Sequence, residues 1–136
     1  MVTDEIRKMM ETLMNDMKDA VFYIAKIDQD NSQHIYLSDG FESLLGYPKE
    51  KSLNDFSFFY KILHPEDSKR VEKQILESDY KTTVQFRIRK SNGEYIKCIS
   101  HNYSKVIDGE EYAYGLMTKI GWFKSGKSQK IPVYNS

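Results

Sequence analysis

The sequence has a single cysteine, no net charge and no long hydrophobic run. Because Cys98 stands alone, an intramolecular disulfide is excluded, and a reducing, cytoplasmic setting is favoured. Lys plus Arg and Asp plus Glu number 20 each, so no net field draws the chain to nucleic acid or to an anionic membrane. No apolar run approaches the roughly 18 residues of a membrane span, and the first residues lack the apolar core of a signal peptide. At 136 residues, we expect one domain.

Residues 82–120 read as three antiparallel strands joined by two tight turns. Ser-Asn-Gly at 91–93 and Asp-Gly at 108–109 are the turn signals, since these pairs supply the positive φ angles of type I′ hairpins. Val84, Phe86 and Ile88 alternate with polar residues, which predicts a strand with one buried face. The runs at 95–99 and 112–117 carry apolar residues at both odd and even positions, so apolar side chains are expected on both faces of these strands. We therefore expect a sheet that is covered, at least partly, on both sides.

An amphipathic helix is predicted for residues 3–20. Thr3 can cap it, and acidic residues follow in its first turn. Its apolar residues form a short heptad seam: Ile6, Met10, Leu13, Met17 and Ala20. Two interpretations remain open, a helix lying on the domain's own sheet and a dimerising or signal-carrying helix.

The middle of the chain predicts two strands and then helices. The strands are expected at 21–27 and 34–37, and a short helix at 41–45 is stopped by Gly46 and Pro48. Asn54 or Asp55 can cap a second short segment. A longer helix opens at the His-Pro-Glu-Asp sequence of 64–67 and runs to about residue 77.

This order of elements, with three short motifs, resembles the PAS family. The motifs are Leu-Leu-Gly-Tyr at 44–47, Ile-Leu-His-Pro-Glu-Asp at 62–67, and Phe-Arg-Ile at 86–88 leading through Asn-Gly to Tyr95. The resemblance implies an α+β fold with a five-stranded antiparallel sheet in the order 2-1-5-4-3 and helices on one face. It divides the chain into an N-terminal helix (1–20), a PAS domain (21–120) and a basic flexible tail or linker (121–136). PAS domains are input or dimerisation modules, commonly in histidine kinases, cyclic-di-GMP enzymes and transcription regulators.

A ligand pocket, if the core holds one, is expected between the inner sheet face and residues 56–63. A three-residue loop at 91–93 places Cys98 on the inner face with Phe86, whereas a two-residue loop places Ile99 there instead. We favour the first, because it brings two polar side chains into the pocket. The pocket candidates are then Phe56, Phe59, Leu63, Phe86, Ile88, Cys98, Ser100 and Asn102. A closed apolar core without ligand is the alternative.

Familiar cofactors find little support in the residues. The resemblance to light-sensing PAS domains would require an adduct-forming Cys near residues 54–58, and haem-binding relatives take a His from the long helix; neither residue is present. The histidines at 34, 64 and 101 fall on separate elements, so no metal site is expected. Residues 121–128 match the P-loop pattern literally, but they follow an antiparallel strand and cannot open a long helix before Pro132.

The sequence thus favours a cytoplasmic sensory or regulatory PAS module, not an enzyme. We expect it to sense a small molecule or a partner protein, to form homodimers through the N-terminal helix, and to act on an output domain of histidine kinase or cyclic-di-GMP type. The alternative is a closed-core interaction module. In that case Tyr112, Tyr114 and Leu116, which lie on one face of their strand, contact a partner protein.

Overall fold

One antiparallel sheet organises the computed structural model, which describes residues 1–123. Its strands are β1 (Ala20–Ile27), β2 (Gln33–Leu37), β3 (Thr83–Arg89), β4 (Tyr95–Ile107) and β5 (Glu110–Phe123). They lie in the order β2-β1-β5-β4-β3, so the predicted PAS topology is confirmed. Strand β5 extends to Phe123, three residues into the segment predicted as a tail. The remainder of that predicted tail and of the P-loop-like segment lies outside the described residues.

The helices fall mainly between β2 and β3. After the N-terminal helix α1 (Val2–Asp16) come a single π-helical turn (Phe41–Leu45), α2 (Glu50–Leu53), α3 (Phe58–Lys61) and α4 (Pro65–Glu77). The π-helical turn ends at Gly46, whose φ of 85° suits a residue without Cβ. Helix α4 begins as predicted, because His64 caps it by accepting a hydrogen bond from the Glu66 N–H at 3.1 Å. Helix α2 was not predicted.

The core lies between these helices and the inner face of the sheet. Helix α4 contributes Val71 and Ile75, which are both buried, and they join Val84, Phe86 and Cys98 from the strands in one apolar cluster. Burying each of the Val, Ile and Phe side chains in this cluster stabilises the fold by roughly 1.5–3 kcal/mol. The inner face is therefore the dry face of the sheet.

A buried ion pair fixes α4 on β3. Asp67 is 7% exposed and accepts three hydrogen bonds from Arg87: from the backbone N at 2.8 Å, from Nε at 2.9 Å and from Nη2 at 2.7 Å. Burial would raise the pKa of Asp67, but these hydrogen bonds outweigh burial and hold its pKa at about 2. The Asp of the His-Pro-Glu-Asp motif is thus a structural residue that sets the position of the helix.

The two hairpin loops differ in length and in turn type. At 91–93 the loop has three residues, since Lys90 donates its N–H to Glu94 O and Phe86 pairs with Cys98. This confirms the favoured register. Only Gly93 of the Asn-Gly pair has positive φ, so the type I′ turn expected there is wrong, whereas Asp108 and Gly109 both have positive φ, as that turn requires.

The N-terminal helix departs from two expectations. It ends at Asp16 because Met17 is already extended, so Ala20 belongs to β1, where it is buried, and not to a helical seam. None of its residues is buried, and Ile6, Met10 and Leu13 are 48%, 57% and 63% exposed. The interpretation that the helix lies on the domain's own sheet is therefore wrong.

The outer face of the sheet is also less covered than expected. Ile24, Tyr114 and Tyr103 lie side by side on neighbouring strands, and each is at least 40% exposed. The two tyrosine rings stack with centroids 5.6 Å apart. Tyr112 and Leu116 share this face by strand alternation. The runs at 95–99 and 112–117 thus carry apolar residues on both faces because the outer surface of the sheet is itself apolar, and not because a second layer covers it.

Candidate functional site

The inner face of the sheet does not close completely against the helices. A cavity of about 90 Å³ lies between strands β1, β2, β4 and β5 on one side and α2, α3 and α4 on the other. Its apolar wall includes Val21, Leu37, Ala113 and Met117 from the sheet. The remaining described residues that line it are mostly aromatic or polar: Tyr23, His34, Phe41, Leu45, Ser52, Phe56, Phe59, Tyr60, Ile62, Ile75, Tyr80, Ser100 and Asn102.

A hydrogen-bonded group forms one side of this cavity. The Asn102 Oδ1 accepts hydrogen bonds from the Tyr23 hydroxyl at 2.6 Å and from the Ser100 hydroxyl at 2.9 Å. The Asn102 Nδ2 donates to the Thr82 carbonyl at 3.0 Å. Burial raises the pKa of Tyr23, so its phenol stays neutral. The group therefore presents fixed dipoles and no charge.

A second polar position lies where β2 meets α2. The Nδ1 of His34 is 3.3 Å from both the carbonyl and the hydroxyl oxygen of Ser52. Burial lowers the pKa of His34, and the Ser52 carbonyl opposes that shift only in part, so the neutral imidazole is favoured. Across the cavity, burial raises the pKa of Tyr60. None of the described residues that line the cavity carries a formal charge at neutral pH.

The predicted pocket residues divide into two groups. Phe56, Phe59, Ser100 and Asn102 line the cavity. The other four, Leu63, Phe86, Ile88 and Cys98, do not line it and pack in the apolar core beside it. Phe86 supports the cavity from behind, since its ring meets that of Phe59 edge to face with centroids 5.2 Å apart.

Cys98 is chemically inert in this position. It is completely buried, and burial raises the pKa of its thiol to about 12, with only a small opposing effect from Lys119. The thiol therefore stays protonated and out of reach of solutes.

Several lining residues were missed by sequence reasoning. Tyr23 could have been found, because it alternates with Val21 and Ala25 on the inner face of β1. His34 is harder to place, since an irregularity in the pairing of β1 with β2 follows Ile24. Ser52 carries no signal, because a four-residue helix has too little periodicity to show a buried face.

The remaining histidines serve local structure. His64 caps α4, and His101 lies 3.2 Å from the Thr83 hydroxyl. Within residues 1–123, no three His, Cys, Asp or Glu side chains are grouped so that they could hold a metal ion. In the same part of the chain, none of the helices has the length and apolar character needed to cross a bilayer.

Comparison with solved structures agrees with this architecture. The N-terminal domain of a diguanylate cyclase with a PAS/PAC sensor from Marinobacter aquaeolei superposes with a TM-score of 0.61 at 19% identity, covering 74% of this chain and 95% of that one. The PAS domain of an HTR-like protein from Haloarcula marismortui gives 0.66 at 15% identity, with coverages of 87% and 94%. A PAS domain from a two-component sensor histidine kinase gives 0.61 at 15% identity, with coverages of 86% and 98%.

Sequence comparison gives the family directly. No curated protein matches the chain. The family model described as PAS fold matches residues 34–114, which is more than half of the chain, from β2 through the helices into β5. By this match and by its sheet order, the chain belongs to the PAS fold family.

Proposed function

We propose that this domain is the sensory part of a signalling protein and that its cavity binds a small molecule. The supporting observation is the cavity itself, which is enclosed by aromatic rings and carries fixed hydrogen-bonding groups at Asn102, Tyr23 and His34. Small-molecule sites combine an apolar lining with a few placed polar groups in this way. PAS domains are sensory, non-catalytic modules, and the chain is accordingly not an enzyme.

The size of the cavity limits the ligand. An apolar cavity of about 150 Å³ holds benzene, so about 90 Å³ holds a molecule of roughly three to five heavy atoms. Haem and flavin are far larger and would require the helices to move apart. The proposed ligand is therefore a small metabolite and not a large cofactor.

The signal is proposed to leave through α1 and a homodimer. The exposed residues Ile6, Met10 and Leu13 lie three or four positions apart on this helix, as in a helix–helix contact. The helix is joined to the sheet through Asn15, whose Oδ1 accepts hydrogen bonds from the Tyr36 hydroxyl at 3.1 Å and from the Asp39 N–H at 3.0 Å. An output domain in the cytoplasm, of histidine kinase or cyclic-di-GMP type, would read the packing of this helix.

Native mass spectrometry of freshly purified full chain tests ligand binding. We expect a reproducible small extra mass that disappears on unfolding and is lost in Ala113→Leu, which fills the cavity. Ile24→Leu on the outer face is the matched control and should retain the mass. An extra mass that persists in Ala113→Leu, or its absence from the wild type together with no response to added small molecules, would contradict the proposal.

Sedimentation velocity tests the homodimer. We expect Leu13→Lys to shift the full chain towards monomer, while Thr12→Lys, on another face of the same helix, leaves the distribution unchanged. A wild-type chain that is monomeric at every accessible concentration would show that α1 does not dimerise.

A closed-core interaction module is the second candidate. The observation in its favour is the exposed outer-face row of Ile24, Tyr103 and Tyr114. Aromatic side chains at a surface are typical of protein interfaces. Under this alternative, Tyr114→Lys would abolish partner binding, and Ala113→Leu would not affect it.

A further inference from the structure

A strongly acidic depression lies next to the cavity. It is bounded by the β1–β2 turn, the segment between α2 and α3, and the end of α4, and we refer to it as the acidic groove. Six carboxylates line it: Asp28, Asp30, Asp55, Glu72, Asp79 and Glu111. Among the described residues that line it there is neither Lys nor Arg. In a protein with no net charge, this is a marked local excess of one sign.

Only part of this charge is balanced from outside the groove. Lys61 forms an ion pair with Asp55 at 2.7 Å, the attraction of Lys81 acts on Glu111, and Lys26 attracts Asp28. The neighbouring Asp79 carboxyl, together with burial, raises the pKa of Glu111. The groove therefore keeps an excess of carboxylates over the cations beside it, which favours positively charged solutes.

The groove and the cavity share a wall. Phe56, Tyr60 and Tyr80 line both, and each is half-buried, so these rings separate the two spaces. Behind them, the His34 and Phe56 rings lie with centroids 5.0 Å apart, and Phe59 meets Tyr60 edge to face at 5.2 Å. The wall is therefore a cluster of aromatic rings with carboxylates on one side and an uncharged, small cavity on the other.

We propose that the cavity and the acidic groove together bind a small alkylammonium ion, with the alkyl group in the cavity and the ammonium group at the shared wall of Phe56, Tyr60 and Tyr80. This inference rests on the proposed function, because it names the class of ligand for the same cavity. Aromatic rings attract a cation that lies within about 6 Å of the ring centroid. Carboxylates on the groove side of this wall raise the local concentration of cations and repel anions. The alkyl group must be short, since the cavity takes roughly three to five heavy atoms.

Three probes of equal chain length separate charge from shape: n-propylammonium, n-propanol and propionate. Each is titrated at constant ionic strength into the full chain carrying ¹³C-methyl methionine, and binding is followed by methyl NMR. Met117 reports the cavity, whereas Met1 and Met9 are exposed and report non-specific association. We expect propylammonium to shift Met117 and to bind about tenfold more tightly than propanol, with propionate weakest.

Two sets of variants locate the source of the preference. The double variant Glu72→Gln with Asp79→Asn should weaken propylammonium binding several-fold and leave propanol unchanged, because it removes charge without altering the cavity. Tyr60→Phe should keep the preference for the cation, whereas Tyr60→Leu should lose most of it. If Tyr60→Leu fails to fold, as judged by circular dichroism, Phe56→Leu replaces it.

The outcomes distinguish this inference from the function on which it rests. If propanol binds as tightly as propylammonium, the cavity is a ligand site and the inference is wrong. If propylammonium shifts the exposed methionines but not Met117, it associates with the surface only, which also overturns the inference. If none of the three probes moves Met117, both the inference and a cavity open to ligands of this size are refuted.

Discussion

The ion pair between α4 and β3 predicts how the stability of this domain depends on pH. Asp67 is nearly fully buried and receives three hydrogen bonds from Arg87. Its pKa is lowered from 3.8 to about 2. A difference of this size between the folded and unfolded chain corresponds to about 2 kcal/mol of folding free energy.

The sign follows from the direction of the shift. Because the folded chain holds the carboxylate more acidic than the unfolded chain does, the stabilisation is complete above the unfolded pKa near 3.8 and is lost as the pH falls towards 2. Asp67→Asn should therefore lower the free energy of unfolding by about 2 kcal/mol near neutral pH. The difference from wild type should shrink progressively once the pH falls below about 4.

Urea unfolding followed by circular dichroism at several pH values measures both effects. Glu66→Gln is the matched control, since Glu66 lies in the same first turn of α4 and contacts the same Arg87 at 3.3 Å, but its side chain is 76% exposed. Because both variants lose one negative charge at the start of the helix, any effect on the helix dipole cancels between them. We expect the control to cost under about 0.5 kcal/mol. Equal costs for the two variants, or a cost for Asp67→Asn that does not decline in acid, would refute this reasoning.

Three further predictions concern the core. Cys98 should react with iodoacetamide only as fast as the chain unfolds, because its buried thiol has a pKa of about 12; rapid labelling of the native chain would show that the core opens locally. Gly40→Ala should cost more than about 2 kcal/mol in urea unfolding or prevent folding, since the added Cβ would overlap the Ala20 carbonyl; a stable variant would mean that these segments move apart easily. Asn102→Ala should cost about 2–3 kcal/mol because the Tyr23 hydroxyl loses its acceptor, and a double-mutant cycle with Tyr23→Phe should show strong coupling, additive losses being the contrary result.

The sheet and the long helix were predictable because their signals are local and agree with one another. Alternation in β3, the Asp-Gly turn at 108–109 and the Pro at the start of α4 each specify one structure without help from distant residues. A three-residue loop at 91–93 turns Ser100 and Asn102 inward, and the hydrogen bond that Asn102 accepts from Tyr23 shows why polar residues are tolerated there.

What could not be predicted depends on tertiary contacts. The end of α1 is set by Met17 turning into the extended conformation that leads into β1, against the helical spacing of the seam. Asp79 and Tyr80 both adopt positive φ after α4; aspartate favours this conformation more than most residues, but nothing in the residue type of Tyr80 indicates it. Since that turn places Tyr80 in the wall shared by the cavity and the acidic groove, the sequence alone could not reveal the connection between the two.

The presence of a cavity in this core follows from a few small residues. Ser52, Ser100 and Ala113 are all nearly fully buried and line the cavity, at positions where a leucine-sized side chain would fill it. Aromatic rings also line the cavity, and two of them are held in place, because the Tyr23 hydroxyl is hydrogen-bonded to Asn102 and the Phe59 ring packs on Phe86. A cavity in a packed core costs stability in proportion to its volume, so this space is maintained against the general tendency of cores to close. Small residues beside aromatic rings that are held in place therefore account for the space left in this core.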